Sequence, residues 1–365
     1  MAFRSWDRIT IVAEDEPEFS AGDGVGNSPF VEAVAPVIIS ASRATDVPAL
    51  YADWFMERLR KGYVRWTNPF NGRSQYVSFA KARVIVFWSK NPRKLMKFLP
   101  KIDRVGMNYY VHFTLNDYEP EMIEPGIPPL GERIKTFIDL AGFIGKDRVI
   151  WRYDPLILSD TLSVDTLISR MKKIGDVIRG STGRLVFSFI DIPEYRGVQA
   201  NLRRTGFGIR GFTPEEKMDF AGKLHRLNES WGLELFTCAE DVDLTGYGIR
   251  NGSCIDSGLM TTLFPHDKTL MDFLHPARQM RLRGNDGKNH KDMLKDPGQR
   301  RECGCVPSKD IGQYNTCTHL CAYCYANSSA GTVRKNYEGY RDLAGSGHYC
   351  DRITGPGRKK DCSPD

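Results

Sequence analysis

The segment Val84-Ile-Val-Phe-Trp88-Ser89-Lys90-Asn91 carries the pattern that decides the fold. Its first five residues are β-branched or aromatic, as in a buried strand, and three polar residues follow directly. Similar apolar runs recur along the chain, and they occupy residues 37–39, 109–113, 149–151, 185–190 and 233–236. Amphipathic stretches separate these runs. Six alternations of this kind predict a parallel α/β architecture.

The amphipathic stretches have recognisable helix ends. Asp46 is suited to cap a helix that runs to residue 60, with Gly62 just beyond its end. The sequence Thr213-Pro-Glu-Glu216 is a capping box with proline at the first helical position, and we expect that helix to close at Gly232. A third helix is predicted from an apolar stripe at helical spacing, made by residues 167, 168, 171, 174 and 178.

Polar residues follow every predicted strand. They occupy positions 40–43, 89–91, 114–116, 152–154, 191 and 238–240. In a (β/α) barrel, the loops at the C-terminal ends of the strands form one active-site mouth. An open doubly wound sheet concentrates such groups near its switch point instead. We therefore predict a full or partial TIM-like (β/α) barrel that carries a C-terminal metal-cluster-binding extension.

Some of these strand-end residues are candidates for a functional site. Arg152 and Asp154 flank one strand end, and together with Asp191 they are the predicted catalytic groups. Each also has a simpler interpretation as a helix cap or an ion pair. The same two interpretations apply to the other polar residues of the predicted mouth, which are Arg43, Asp46, Lys90, Asn91 and Glu240.

Composition and charge exclude several classes of protein. The chain has 365 residues, of which 41% are hydrophobic and 26% charged, which is typical of a folded globular protein. The net charge of +6 permits a nucleic-acid partner without implying one. We find neither a secretory signal nor an apolar run long enough for a membrane span, and we expect a cytoplasmic protein with no membrane partner.

The pattern also divides the chain into regions. Residues 1–30 are predicted to be a loose N-terminal arm, because their acidic and glycine-rich pieces lack periodicity. The barrel domain is expected to span residues 31–265, and a polar connecting segment residues 266–302. Residues 303–365 would form a cysteine-rich cluster-binding region with a polar tail.

The nine cysteines are distributed unevenly, because five of them lie between residues 303 and 324. Metal ligation explains this cluster better than a disulfide framework does. The segment Cys317-Thr-His-Leu-Cys321-Ala-Tyr-Cys324, called the cysteine loop below, places three soft ligands close together. Such ligands suit an iron-sulfur cluster, zinc or copper(I). A structural zinc ion would need a fourth ligand, and the candidates are His319, Cys303 and Cys305.

The cysteine loop resembles the ligand motif of the radical S-adenosylmethionine enzymes, including the aromatic Tyr323 before the third cysteine. The longer stretch 314–326 is similar to the subgroup related to spore photoproduct lyase. The resemblance implies that Cys317, Cys321 and Cys324 bind a [4Fe-4S] cluster. It further implies that the cluster's open iron chelates S-adenosylmethionine, whose reductive cleavage gives a 5′-deoxyadenosyl radical. An electron donor such as flavodoxin or ferredoxin and a small polar substrate would be needed.

The whole chain also resembles an uncharacterised prokaryotic family with an N-terminal barrel and a C-terminal CxxxCxxC loop. In radical S-adenosylmethionine enzymes the motif follows the first barrel strand, whereas here it follows all six predicted strands. Either the barrel is circularly permuted, or the loop folds back over the mouth from outside. In a permuted barrel, the segment before Cys317 would stand in for the first strand, and residues 37–43 would be the second.

The resemblance also suggests which residues contact the cofactor. Ser40 and Arg43 would occupy the place of the family's segment that holds the amino group of S-adenosylmethionine, and Tyr323 and Glu240 are the other predicted cofactor-binding residues. We expect His319 to donate a hydrogen bond to a cluster sulfur or to the cofactor carboxylate.

Other interpretations stay open. Cys303 and Cys305 would bind a second metal, join the same site or remain unligated, while Cys238 and Cys254 are interpreted as buried small apolar residues. A first alternative function is a barrel enzyme, for instance hydrolytic, with a structural zinc or iron-sulfur module. A second is a non-enzymatic, metal-dependent nucleic-acid-binding protein that uses the basic segment 276–302.

Overall fold

The computed structural model describes residues 6–13, 30–191, 196–275 and 294–354. Its strands are β1 (Asp7–Val12), β2 (Phe30–Ala35), β3 (Ile38–Ala41), β4 (Tyr63–Thr67), β5 (Ser74–Ser78), β6 (Val84–Ser89), β7 (Asn108–Thr114), β8 (Val149–Leu156), β9 (Arg184–Phe189), β10 (Glu234–Cys238), β11 (Ile249–Gly252) and β12 (Lys309–Asp310). Its α-helices are α1 (Val47–Leu50), α2 (Ala52–Lys61), α3 (Arg93–Met96), α4 (Leu99–Arg104), α5 (Leu130–Ile144), α6 (Val164–Ile178), α7 (Arg196–Arg204), α8 (Pro214–Asn228), α9 (Ser257–Leu263), α10 (Lys268–Leu274) and α11 (Ala330–Gly345).

The central element is an eight-stranded sheet in which all neighbouring strands are parallel. Its order is β11-β10-β9-β8-β7-β6-β3-β12. The six strands predicted from the sequence are β3, β6, β7, β8, β9 and β10, and all of them lie in this sheet. The α/β class is thereby confirmed. Among the described residues the two end strands do not pair with each other, so closure into a full barrel is not seen.

The position of β12 is the informative feature of this order. From β3 to β11 the strands follow the chain, but β12, which comes last in sequence, lies beside β3. Lys309 pairs with Ile39, and Asp310 pairs with Ser40. The sequence left two placements open for the cysteine loop. In the structure, the segment before the loop is a strand of the sheet, next to the strand formed by residues 38–41.

A smaller four-stranded sheet has the order β1-β2-β5-β4 and was not predicted. Its first strand falls in the segment expected to be a loose arm, so that expectation is wrong for residues 7–12, which pair antiparallel with β2. Residues 14–29 lie outside the described part of the chain. Helix α10 likewise lies within the predicted connecting segment, and residues 276–293 of that segment are not described.

The two faces of the large sheet bury different cores because side chains alternate along each strand. On β6, Ile85 and Phe87 pack into the core beneath the helices that connect the strands. Val84 and Val86 point the other way, into a second core. Residues of the segments 254–274 and 294–306 cover that second face, and these segments include α9, α10 and the stretch Cys303–Cys305.

The predicted helix ends agree with the structure in part. The Asp46 carboxylate caps α1 by accepting from the Ala49 N–H at 2.9 Å, and Gly62 ends α2 in the left-handed conformation. The capping box at Thr213 and Glu216 is present. However, α8 ends at Asn228 rather than at the predicted Gly232. Among the described residues, no helix has both the length and the apolar character to cross a membrane.

Removal of the Asp310 side chain tests how β12 is held. This carboxylate accepts from the Ser40 hydroxyl (2.8 Å), the Ser42 hydroxyl (2.6 Å) and the Arg43 backbone N–H (2.8 Å). Each hydrogen bond to a charged group is worth about 1.5–3 kcal/mol, and we expect Asp310→Ala to lower the free energy of unfolding by about 2–4 kcal/mol. Urea denaturation measures that change, and hydrogen exchange should accelerate over residues 307–326.

The matched control is Asp272→Ala, since Asp272 is exposed on α10 and its loss should change stability by less than about 0.5 kcal/mol. If Asp310→Ala behaved like this control in both measurements, β12 would not depend on the carboxylate.

Candidate functional site

A cavity of about 410 Å³ lies where the strands of the large sheet end. Residues at or just after the ends of β3, β6, β9 and β10 line it, together with Arg152, Asp154 and Pro155 of β8, as expected for the C-terminal ends of parallel strands. All three cysteines of the cysteine loop line the same cavity. The predicted site residues that line it are Arg43, Asp46, Lys90, Arg152, Asp154, Asp191, Glu240, Cys303, Cys305, Cys317, His319, Cys321, Tyr323 and Cys324.

His319 fastens the cysteine loop to the strand ends. Its Nδ1 contacts the Gly126 carbonyl oxygen at 3.1 Å, and its Nε2 contacts an Asp46 carboxylate oxygen at 2.8 Å. Both partners are hydrogen-bond acceptors, so both ring nitrogens are directed at protein oxygen atoms. This differs from the role predicted for His319, because its nitrogens are directed at the protein rather than at a cluster sulfur or a cofactor.

Asp46 is more than the helix cap that the sequence suggests. Its carboxylate also accepts from the Ser89 hydroxyl and the Lys90 backbone N–H, both at 2.7 Å. Burial alone would raise the pKa of Asp46, but its hydrogen bond and ion pair with His319 bring that pKa below the ordinary value. A buried carboxylate therefore joins α1, the end of β6 and the cysteine loop.

Tyr323 anchors the other end of the loop. Its hydroxyl donates to Glu124, and the Lys90 ammonium lies 2.8 Å from the same hydroxyl and 2.7 Å from Glu124. Asn116 also donates to Glu124, at 3.0 Å. Tyr323 was predicted to bind the cofactor. Its hydroxyl is engaged in this buried network, and the residue lines the cavity.

The three thiols of the cysteine loop are buried and lie close enough to affect one another. Burial raises the pKa of Cys317 to about 12, and the nearby Asp46 and Cys324 add to this. Burial also raises the pKa values of Cys321 and Cys324. Without a bound cation these sulfurs therefore hold their protons, and a metal would have to displace them. Among the described residues, no group of three or more His, Cys, Asp or Glu side chains is arranged, as it stands, to hold a metal ion.

Two arginines that line the cavity lie close to the same indole ring. The guanidinium carbons of Arg43 and Arg152 each lie 5.1 Å from the centre of the Trp88 ring. Arg152 donates to Asp154, which also accepts from the Ser188 hydroxyl. The structure thus brings the Arg152 and Asp154 side chains together on β8, where both line the cavity.

The remaining predicted residues have mixed outcomes. Ser40 is wholly buried, donates to Asp310 and accepts from the Trp88 indole N–H at 3.1 Å, and it does not line the cavity. The structure therefore places Ser40 within the sheet and not at the cavity surface. Glu240 lines the cavity, and burial raises its pKa. Asp191 lines the cavity and forms an ion pair with Arg300 at 3.2 Å.

Sequence reasoning missed several residues at this site. Cys238 and Cys254, interpreted as apolar residues, line the cavity, and their sulfurs are 3.0 Å apart. The signal for Cys238 was its position directly at a strand end. Glu124 lies in a loop without periodicity, and no pattern in the sequence marks it.

Gly126 should be essential for the position of the cysteine loop. A Cβ atom at this residue would lie 2.1 Å from the Thr318 carbonyl oxygen and 2.6 Å from the His319 Cα. Because both are backbone atoms, we expect Gly126→Ala to displace the loop and to lower the free energy of unfolding by about 1–3 kcal/mol. Thermal denaturation measures the loss, and hydrogen exchange locates it.

Gly131→Ala is the control, since a Cβ there meets no atom within 4 Å and alanine favours a helix. Unchanged exchange over residues 316–326 in Gly126→Ala would contradict the proposed contact.

Comparisons with known proteins identify a family for this chain, but they give no activity. No curated protein and no solved structure matches the chain. One family model matches residues 38–326, which include all strands of the large sheet and the cysteine loop. The chain therefore belongs to the family described as Domain of unknown function (DUF1848).

Proposed function

We propose that this protein is an iron-sulfur enzyme that binds a [4Fe-4S] cluster through Cys317, Cys321 and Cys324 and carries out radical chemistry with S-adenosylmethionine. The observation that carries the proposal is the shared cavity. The three cysteines line the same cavity as Arg43, Arg152 and the other strand-end residues. A cofactor held by the loop would therefore meet a substrate held by the strand ends.

The strand order supports a permuted partial barrel. In the radical S-adenosylmethionine enzymes, which the loop resembles, the motif follows the first strand of the barrel. Here the motif follows β12, and β12 occupies the position before β3 in the sheet. The sheet thus has the spatial order of that architecture, although β12 comes from the C-terminal part of the chain.

The donor set fits a cluster with one open iron better than it fits a structural zinc ion. Zinc in a structural site takes four ligands, and the loop supplies three thiols. Both ring nitrogens of His319 are already engaged, by Gly126 and Asp46, so this residue is not free to be the fourth ligand. Three soft donors without a fourth leave one coordination position for a small molecule.

The cavity carries charges of both signs. Arg43, Lys90 and Arg152 supply positive charge, and Asp154, Asp191 and Glu240 supply negative charge. Such a lining suits the amino and carboxylate groups of S-adenosylmethionine and a small polar substrate. When bound and reduced by an external donor such as flavodoxin or ferredoxin, the cluster would supply the electron that cleaves S-adenosylmethionine into methionine and a 5′-deoxyadenosyl radical. The residues of the chain would orient both molecules and exclude water.

Anaerobic purification followed by metal and product analysis tests this proposal. We expect iron and sulfide in the wild-type protein, and 5′-deoxyadenosine after reduction in the presence of S-adenosylmethionine. Alanine at Cys317, Cys321 or Cys324 should reduce 5′-deoxyadenosine formation at least about 100-fold, because each substitution removes a ligand of the cluster.

The matched control is Thr318→Ala, which changes the same loop without removing a sulfur and should retain activity. Zinc without iron in the wild-type protein would overturn the proposal and favour a structural module. Iron that persists with no 5′-deoxyadenosine under any reductant would overturn the radical chemistry.

A further inference from the structure

Four cysteines outside the cysteine loop converge at the floor of the cavity. Cys238 ends β10, Cys254 follows β11, and Cys303 and Cys305 lie shortly before β12. The Cys238 and Cys254 sulfurs are 3.0 Å apart. The Cys305 sulfur lies beside the Cys254 segment, because the N–H of the next residue, Ile255, donates to it at 3.3 Å, and Cys303 is only two residues from Cys305. All four cysteines line the same cavity.

Two of these sulfurs, those of Cys254 and Cys305, are contacted by guanidinium or backbone N–H groups. The Ile255 backbone N–H donates to the Cys305 sulfur at 3.3 Å, and the Arg43 guanidinium lies 3.8 Å from that sulfur. The Arg152 guanidinium donates to the Cys254 sulfur at 2.7 Å. A guanidinium is always charged and only donates hydrogen bonds. Backbone N–H groups and cations directed at sulfur are the contacts that stabilise thiolate ligands.

The segment that carries Cys303 and Cys305 is held against the segment that carries Cys254. The Val306 N–H donates to the Ile255 carbonyl at 3.1 Å, and the Asp296 N–H donates to the Cys305 carbonyl at 2.8 Å. Cys254, Cys303 and Cys305 are all buried. The four sulfurs are thus brought together by the fold, from three separate parts of the chain.

The sulfur separations distinguish two kinds of chemistry. Sulfurs around one tetrahedral zinc ion, at about 2.3 Å from the metal, lie about 3.8 Å apart, whereas a disulfide bond is about 2.05 Å long. The Cys238 to Cys254 distance of 3.0 Å lies between these values. To bind one zinc ion, the Cys238 and Cys254 sulfurs would therefore have to move apart by less than about 1 Å. A disulfide would use only two of the four sulfurs.

We propose that Cys238, Cys254, Cys303 and Cys305 form a second metal site, a four-thiolate centre for zinc or an iron-sulfur cluster, distinct from the cysteine loop. This site goes beyond the proposed radical chemistry and does not depend on it. Four soft donors complete a coordination shell without an open position, which is typical of a structural or electron-transferring centre. Because Cys305 precedes β12 by only a few residues, metal at this site would also fix the segment that leads to the cysteine loop.

The test uses a variant in which the cysteine loop has lost its three thiols, so that any metal found must be bound elsewhere. In a full-length chain with Cys317, Cys321 and Cys324 all replaced by alanine and purified anaerobically, we expect elemental analysis to find about one zinc ion or about four iron atoms per chain. The identity of the element distinguishes zinc from a cluster. Cys303→Ser in this background should abolish the remaining metal, whereas the neighbouring Ser253→Ala should leave it in place. A triple variant that carries no metal would overturn the second site, whatever the outcome for the loop.

Native mass spectrometry of otherwise wild-type protein gives a second readout that does not require the triple variant to fold. The Cys303→Ser chain should lose the mass of one metal centre relative to wild type, and Ser253→Ala should not. Equal masses of bound metal in Cys303→Ser and wild type would overturn the proposal. So would a Cys238–Cys254 disulfide in anaerobically purified protein, detected by peptide mapping.

Discussion

The attachment of β12 to β3 through the Asp310 carboxylate is the interaction on which the site depends. A strand of two residues forms few ladder hydrogen bonds, so its side chain has to supply the rest of the attachment. Asp310 accepts from two hydroxyls and one backbone N–H of the segment that ends β3. The cysteine loop begins seven residues after Asp310. The position of β12 therefore determines how close the loop lies to the other strand ends.

A second constraint then fixes the loop over the cavity. Asp46 and Glu124 are buried carboxylates that receive His319 and Tyr323 from the loop. Asp46 contacts His319, and Glu124 contacts Lys90, so each buried carboxylate has a basic side chain as its partner. The same contacts engage His319, one of the three candidates for the fourth ligand of a zinc ion. The three sulfurs of the cysteine loop and the strand-end charges face one cavity, and the proposed cofactor chemistry rests on this arrangement.

The strands of the large sheet could be predicted because parallel strands buried on both faces are continuous apolar runs, as in residues 84–88. The polar residues after these strands were expected at one edge because the C-terminal ends of parallel strands lie on the same side of the sheet. The sequence left the position of β12 open between two placements, since two residues carry no periodicity and only the pairing with β3 decides between them. Ser40 was predicted to bind the cofactor because residues 40–43 would occupy the place of a family segment, but its side chain contacts Asp310 and Trp88 within the sheet. Cys238 and Cys254 meet because β10 and β11 are neighbours, which the sequence alone does not state.

The most direct test of the account is to locate iron in the molecule. Crystals grown anaerobically can be measured at X-ray energies on both sides of the iron absorption edge, and the difference map shows where iron is bound. The account predicts a strong iron peak bounded by the sulfurs of Cys317, Cys321 and Cys324, facing Arg43 and Arg152. Iron found only at the other cysteines, or a peak at the cysteine loop that follows the zinc edge instead, would contradict it.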